Sequence, residues 1–220
     1  MKARYLYSFA FGVVILAGIF GRIKRNTYTD FLKEENYMEG TMVAELPEEI
    51  AINAFSEMID QLPKSPIILR VLVTGDIEFT FKDGRQKVTV QEIYAGNDLE
   101  IGQEIYLNDK SLIVEEGINY AELNFVNLMQ QGEEYLVFMS HKVETLNEPI
   151  PIYQFKRDFF ITPVFSYKEA ETRNIVPVGE EDTYVPYIKV KDNEFFGESI
   201  ETFEAWEDLK TKMLLAFPIT

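Results

Sequence analysis

Residues 67–81 read Ile67-Ile68-Leu69-Arg70-Val71-Leu72-Val73-Thr74-Gly75-Asp76-Ile77-Glu78-Phe79-Thr80-Phe81. Apolar side chains hold the odd positions from Ile67 to Val73 and from Ile77 to Phe81, and Arg70, Thr74, Asp76, Glu78 and Thr80 lie between them. A period of two belongs to a strand with one face in a core and the other in water. The run is longer than an ordinary strand of about five or six residues. Gly75 stands at its one gap, where a long strand can bend sharply around a barrel.

Downstream, Asp83-Gly84 has turn chemistry, and Val88 to Tyr94 reads as a returning strand with Val88, Val90 and Ile93 inward. Gly102 precedes a short Ile105/Leu107 strand, Lys110-Ser111 looks like a turn, and Gly132 precedes a strand over Tyr135 to Val143. From Ile150 to Val190 prolines separate short extended pieces, among them Phe159 to Tyr167 and Tyr187 to Val190. Two helices flank these strands. The first begins at Pro47, with Ile50, Ala51, Ala54, Phe55, Met58, Ile59 and Leu62 at helical spacing, and closes at Pro63 and Pro66. The second runs from about Ile200 to Phe217, capped by Ser199, with Ile200, Phe203, Trp206, Leu209, Met213 and Ala216 on one face. Its early acids, Glu201, Glu204 and Glu207, and its late Lys210 and Lys212 suit the helix dipole.

Upstream the chemistry changes. The first twenty-five residues hold Lys2, Arg4, Arg22, Lys24 and Arg25, no acid, and an uncharged apolar run from Tyr5 to Phe20. In helix this run would span about 24 Å, short against a hydrocarbon core of roughly 30 Å, but Tyr5, Tyr7, Arg4 and Arg22 suit the interfaces. Leu16-Ala17-Gly18-Ile19-Phe20-Gly21 offers no good small-x-small cleavage site, which favours an uncleaved anchor over a signal peptide. Lipidation fails at position 19, which is Ile rather than Cys. A buried core helix is the remaining alternative. Cations nearly balance across the run, so charge alone does not orient it; a signal-like leader exporting a long domain places the body outside the cell.

The organisation expected is therefore a signal-anchor at 1–25, a linker at 26–43, and an acidic extracytoplasmic domain at 44–220. Within that domain the barrel core covers about 66–144, and an extension with the terminal helix covers 145–220. The whole chain carries −16, so the part beyond the leader carries −21. An anionic body is repelled by nucleic acid and by anionic lipid. There is no cysteine, which removes disulfides, thiolate catalysis and Cys-ligated metal. The fold class is mainly β with flanking α-helices: a five-stranded OB-like antiparallel barrel plus an N-terminal membrane helix.

The pieces Ile67 to Phe81, Val88 to Gly96, Leu99 to Ile105 and Gly132 to Phe138 together resemble the OB-fold domain of tissue inhibitors of metalloproteinases, netrin modules and their bacterial relatives. The resemblance implies a small five-stranded barrel used as a binding platform outside the cell. It does not extend to zinc chelation, because that family uses an amino-terminal Cys and this chain has none.

Residue chemistry adds little catalytic promise. His141 is the only histidine, and its neighbour Ser140 belongs on the opposite face of a regular strand, so the two form no dyad. The acidic groups Glu48/Glu49, Glu115/Glu116, Glu133/Glu134 and Glu180/Glu181/Asp182 read as solvated charge; the Gly179 to Asp182 loop is the one place to test for calcium. Tyr94, Phe79 and Phe81 could stack bases on an OB-fold, but without a basic stripe they read as core. No catalytic residue, metal ligand or cofactor is assigned, and the binding residues stay open. The expectation is a single-pass membrane protein, not an enzyme, acting as a binding or accessory module for a protein partner. Its alternatives are a cell-envelope hydrolase using an acidic pair and a structural envelope protein.

Overall fold

The computed structural model describes residues 37–79, 84–115, 118–156, 158–169, 172–177 and 183–219. Nine strands and three α-helices occur there: β1 (Thr41–Ala44), α1 (Glu48–Gln61), β2 (Ile67–Phe79), β3 (Gly84–Ala95), β4 (Glu104–Glu115), β5 (Ile118–Glu122), β6 (Glu134–Val143), β7 (Ile152–Phe155), β8 (Val164–Ser166), β9 (Tyr184–Pro186), α2 (Tyr187–Val190) and α3 (Ile200–Ala216).

Five strands close on themselves. β2 pairs antiparallel with β3 and β6, β6 with β7, and β3 with β4, while β4 and β7 complete the circle in parallel. Closure removes the free edges that a twisted open sheet would leave. The protein is thus mainly β, with a closed five-stranded barrel and a few helices. The alternation read from sequence supplies the interior: Leu69, Val71, Val73, Val88 and Val90 are buried, and the β2–β3 register slips between Val73 and Ile77, across Gly75. Gly102 and Gly132, each with φ +85°, turn the chain just ahead of β4 and β6, a conformation costly for residues with a Cβ.

Several expectations change. The barrel is not wholly antiparallel, because β7 comes from the segment assigned to the extension and lies parallel to β4. Its four residues follow Pro151 and are too short to show a period. Lys110-Ser111 is not a turn: β4 runs through it, leaving the barrel after Lys110 to pair with β5. Thr41 to Val43, placed in the linker, instead belong with Ala44 to β1, which lies between β5 and β9. Tyr187–Val190 is a helical turn rather than a strand, with Tyr187 and Val190 buried three residues apart. Phe81, the Asp83 turn position, the anchor at 1–25 and the linker through residue 36 lie outside the described residues. No helix among the described residues is long and apolar enough to cross a membrane.

α1 and α3 cover the barrel with the faces foreseen, except that Ile50, Ile200 and Ala216 are exposed. Ser199 accepts a hydrogen bond from the Thr202 N–H at 3.1 Å and starts α3. The aromatic centre is Trp206, whose ring stacks on Phe195 at 4.6 Å and on Phe165 at 5.0 Å and approaches Phe55 of α1 at 5.9 Å.

Residues 123–129 close one mouth of the barrel without pairing as a strand. Two polar side chains from the barrel wall take up their carbonyl groups. Lys110 Nζ donates to Leu123 O at 2.6 Å, Val126 O at 2.9 Å and Thr162 Oγ1 at 3.1 Å, and Gln86 Nε2 donates to Met129 O at 2.8 Å. Buried irregular backbone requires such partners. Asn124 and Phe125 hold φ of +49° and +62°, and Val126 N–H donates to Leu123 O, closing a tight turn with an aromatic residue in the left-handed region.

Candidate functional site

The plug leads directly into a cleft of about 380 Å³. Val126, Asn127, Leu128 and Gln130 form one wall; Glu133 just before β6, Tyr135 of β6, Val164 and Ser166 of β8, and Lys191 to Glu194 form the others. A concave site with a few convergent polar groups is the place to look for a ligand.

Two asparagines stiffen it. Asn127 Nδ2 donates to Lys191 O at 2.7 Å and Asn193 O at 2.8 Å, and its Oδ1 accepts from Leu128 N at 2.7 Å and from the Tyr187 hydroxyl at 3.0 Å. That uses the bonding capacity of both amide atoms. Asn193 in turn binds Asn174 through its side chain in both directions, at 2.7 and 2.8 Å. The wall built from two distant stretches of sequence is thereby tied before anything binds.

At the floor, Glu194 accepts from the Ser166 N–H at 2.8 Å and from Lys210 Nζ of α3, which also donates to Lys168 O at 2.8 Å. Burial pushes the Glu194 carboxyl up, against the pull of Lys210. Burial also raises the Tyr135 hydroxyl to about 12, with Glu194 adding to the shift while its bond from the Gln130 N–H opposes it. Perturbed titratable groups beside a cleft are a recognised mark of functional sites.

No family model matches the chain. No curated protein matches it in sequence. The functional reading therefore rests on the geometry.

The residues weighed from sequence are distributed as follows. Ser140 and His141 do meet, with Oγ 2.9 Å from Nδ1, contrary to the alternation argument. A bulge between Met139 and His141 in the β6–β7 pairing breaks the period of two. The Ser140 hydroxyl also lies 3.2 Å from Gln154 O and 3.3 Å from Phe155 O, and the pair stands outside the cleft. Glu133 lines the cleft and binds Lys168, whereas Glu134 binds Arg70 at 2.8 Å, so that pair separates. Glu48 and Glu49 stand in the first turn of α1. Gly179 to Asp182 lies outside the described residues. Among the described residues no three acids or histidines gather as a metal site.

Phe79 is buried, and Tyr94 packs on Phe217 at 5.3 Å with its hydroxyl 2.8 Å from Pro218 O, so both serve packing. On the outer face of β3, Arg85 stacks over Tyr106 at 4.4 Å and binds Glu78 and Glu148, while Lys87 binds Glu104. These cations are matched by carboxylates. The residues that sequence reasoning missed are Asn127, Glu194 and Lys210. Lys210 looked like a dipole-balancing surface residue, and only its place four residues after Trp206 and seven after Phe203, on the same helical face, could have hinted otherwise; it is 9% exposed.

Proposed function

We propose that this chain is a membrane-anchored accessory module whose acidic OB-like barrel, held outside the cell, binds a protein partner at the Asn127–Glu194 cleft. The observation that carries this reading is a pre-tied polar cleft on a closed five-stranded barrel. The strand order, with one parallel pair closing a meander, supports the OB-like assignment. The basic, apolar leader supports the anchor, and the acidic body with paired cations speaks against nucleic acid. Because Asn127 and Asn193 fix the cleft wall, a partner would lose little ordering entropy there. Affinity purification of the full-length chain from gently solubilised membranes should retrieve a stoichiometric protein that is lost with Asn127→Ala. Repeated recovery of the bait alone would count against the reading.

A second reading, an envelope hydrolase working through a carboxylate pair, is favoured by the four acids Glu133, Glu169, Asp192 and Glu194 along the same cleft. It requires that purified protein cleave cell-wall glycan and that Glu194→Gln or Glu133→Gln abolish the cleavage.

A further inference from the structure

Glu45 occupies the short passage between β1 and α1 and is 3% exposed. Neither carboxylate oxygen has a hydrogen-bond partner. The backbone around it is sewn to a distant stretch: Glu45 N–H donates to Thr183 O at 3.2 Å, Leu46 N–H to Phe196 O at 2.8 Å and Glu198 N–H to Leu46 O at 3.3 Å. Leu46 and Gly197 form a parallel bridge, and Glu198 Oε1 accepts from the Glu48 N–H at 2.7 Å, capping α1. A second carboxylate thus holds the seam that Glu45 lies in.

An ionised carboxylate without a donor or a cation is untenable in such a place. The titratable groups on the elements meeting here are Glu198 before α3, Glu48 and Glu49 in the first turn of α1, Tyr184 on β9, and the buried Tyr187 and exposed Lys189 on α2. Glu198 acts on Glu45 as a like charge, and the Val176 backbone approaches without completing a hydrogen bond.

We propose that this seam is a proton-operated latch: neutral Glu45 keeps Leu46 against Gly197 and Glu198 on the end of α1, and ionised Glu45 leaves the interior and loosens both. Burial first, and Glu198 after it, raise the Glu45 carboxyl from 4.5 to about 7. The folded state therefore retains a proton that the unfolded chain gives up. The stabilisation is complete below pH 4.5, is lost as pH rises towards 7, and stays lost above it. The latch is closed in mildly acidic surroundings and opens near neutrality.

Urea unfolding of the full-length chain at steps from pH 5 to 8, beside Glu45→Gln, reads this directly. Between pH 5 and 8 the unfolding constant of the native protein should rise relative to the variant by about 70-fold, the part that falls in this window of the change set by the shift from 4.5 to about 7. Parallel curves for the two proteins would overturn the proposal. If Glu45→Gln does not fold, carboxyl-carbon NMR of the native chain replaces it. A Glu45 midpoint near 7 that moves down in Glu198→Gln, with Leu46 and Glu48 amides exchanging faster above it, agrees with the latch. A midpoint near 4.5 overturns it.

Discussion

Lys110 Nζ stands 2.6 Å from the carbonyl oxygen of Leu123, inside a barrel whose other inward positions are mostly apolar. The same ammonium reaches Val126 O, so one cation holds both ends of the tight turn through Asn124 and Phe125. The cleft wall begins at Val126, so the shape of the candidate site depends on a residue within the barrel.

Lys110→Met should therefore destabilise the chain by about 3 kcal/mol, since it strands buried carbonyls that had charged donors. Urea titration gives the value. A loss below about 0.5 kcal/mol would mean that the plug closes the barrel without the lysine.

Trp206 joins α3 to Phe195, Phe165 and Phe55, and its indole N–H has no partner. Trp206→Ala should cost about 4 kcal/mol, whereas Trp206→Phe should cost much less, because it keeps a ring and removes an unpaired buried donor. Equal losses in thermal unfolding would contradict this ordering.

Lys210→Met leaves the Glu194 carboxylate buried beside Ser166 without its cation. Glu194 is already raised by burial, and removing Lys210 raises it further. The neutral form, favoured in the fold, is stabilising at acid pH and that advantage is lost as pH rises, so the variant should lose about 2 kcal/mol at neutral pH and less in acid. A penalty independent of pH would point to lost packing of the lysine stem instead.

Two tyrosines pin the chain after α3. Tyr167 donates to Phe217 O at 3.1 Å, and the Tyr94 hydroxyl reaches Pro218 O. Tyr94→Phe should cost about 1 kcal/mol and speed hydrogen exchange at the Phe217 and Ile219 amides. Unchanged exchange rates would assign the tail's order to the Phe217 ring alone.

The absence of cysteine permits a clean test of location. Leu146 is 99% exposed, so Leu146→Cys should react with a membrane-impermeant maleimide on intact cells if the body lies outside. Protection until lysis would place the acidic domain in the cytoplasm and remove the extracytoplasmic proposal.

Much of the frame was legible. The alternation of Ile67 to Phe79 is set by the pleat itself, and the spacing of Phe203, Trp206, Leu209 and Met213 by the helical turn. Each is a local repeat that survives whatever packs on it. The site was much less legible. Lys110 and Gln86 take inward places because carbonyls of residues 123–129 arrive there from outside the barrel. Ser140 meets His141 because a bulge in the pairing with β7 breaks the alternation.

Sequence alone determined the period of the long strands, the capped α3, the glycine turns before β4 and β6, and the charge contrast between leader and body, since these depend on residues within a few positions of one another. Only the tertiary structure decided that β7 closes the barrel in parallel, that Glu133 and Glu134 part, that Asn127 and Glu194 share a cleft with Lys210 held against Glu194, and that Glu45 is buried elsewhere without a partner. Those outcomes depend on which distant backbone and charge come to each side chain, and burial then sets the cost of leaving them unmatched.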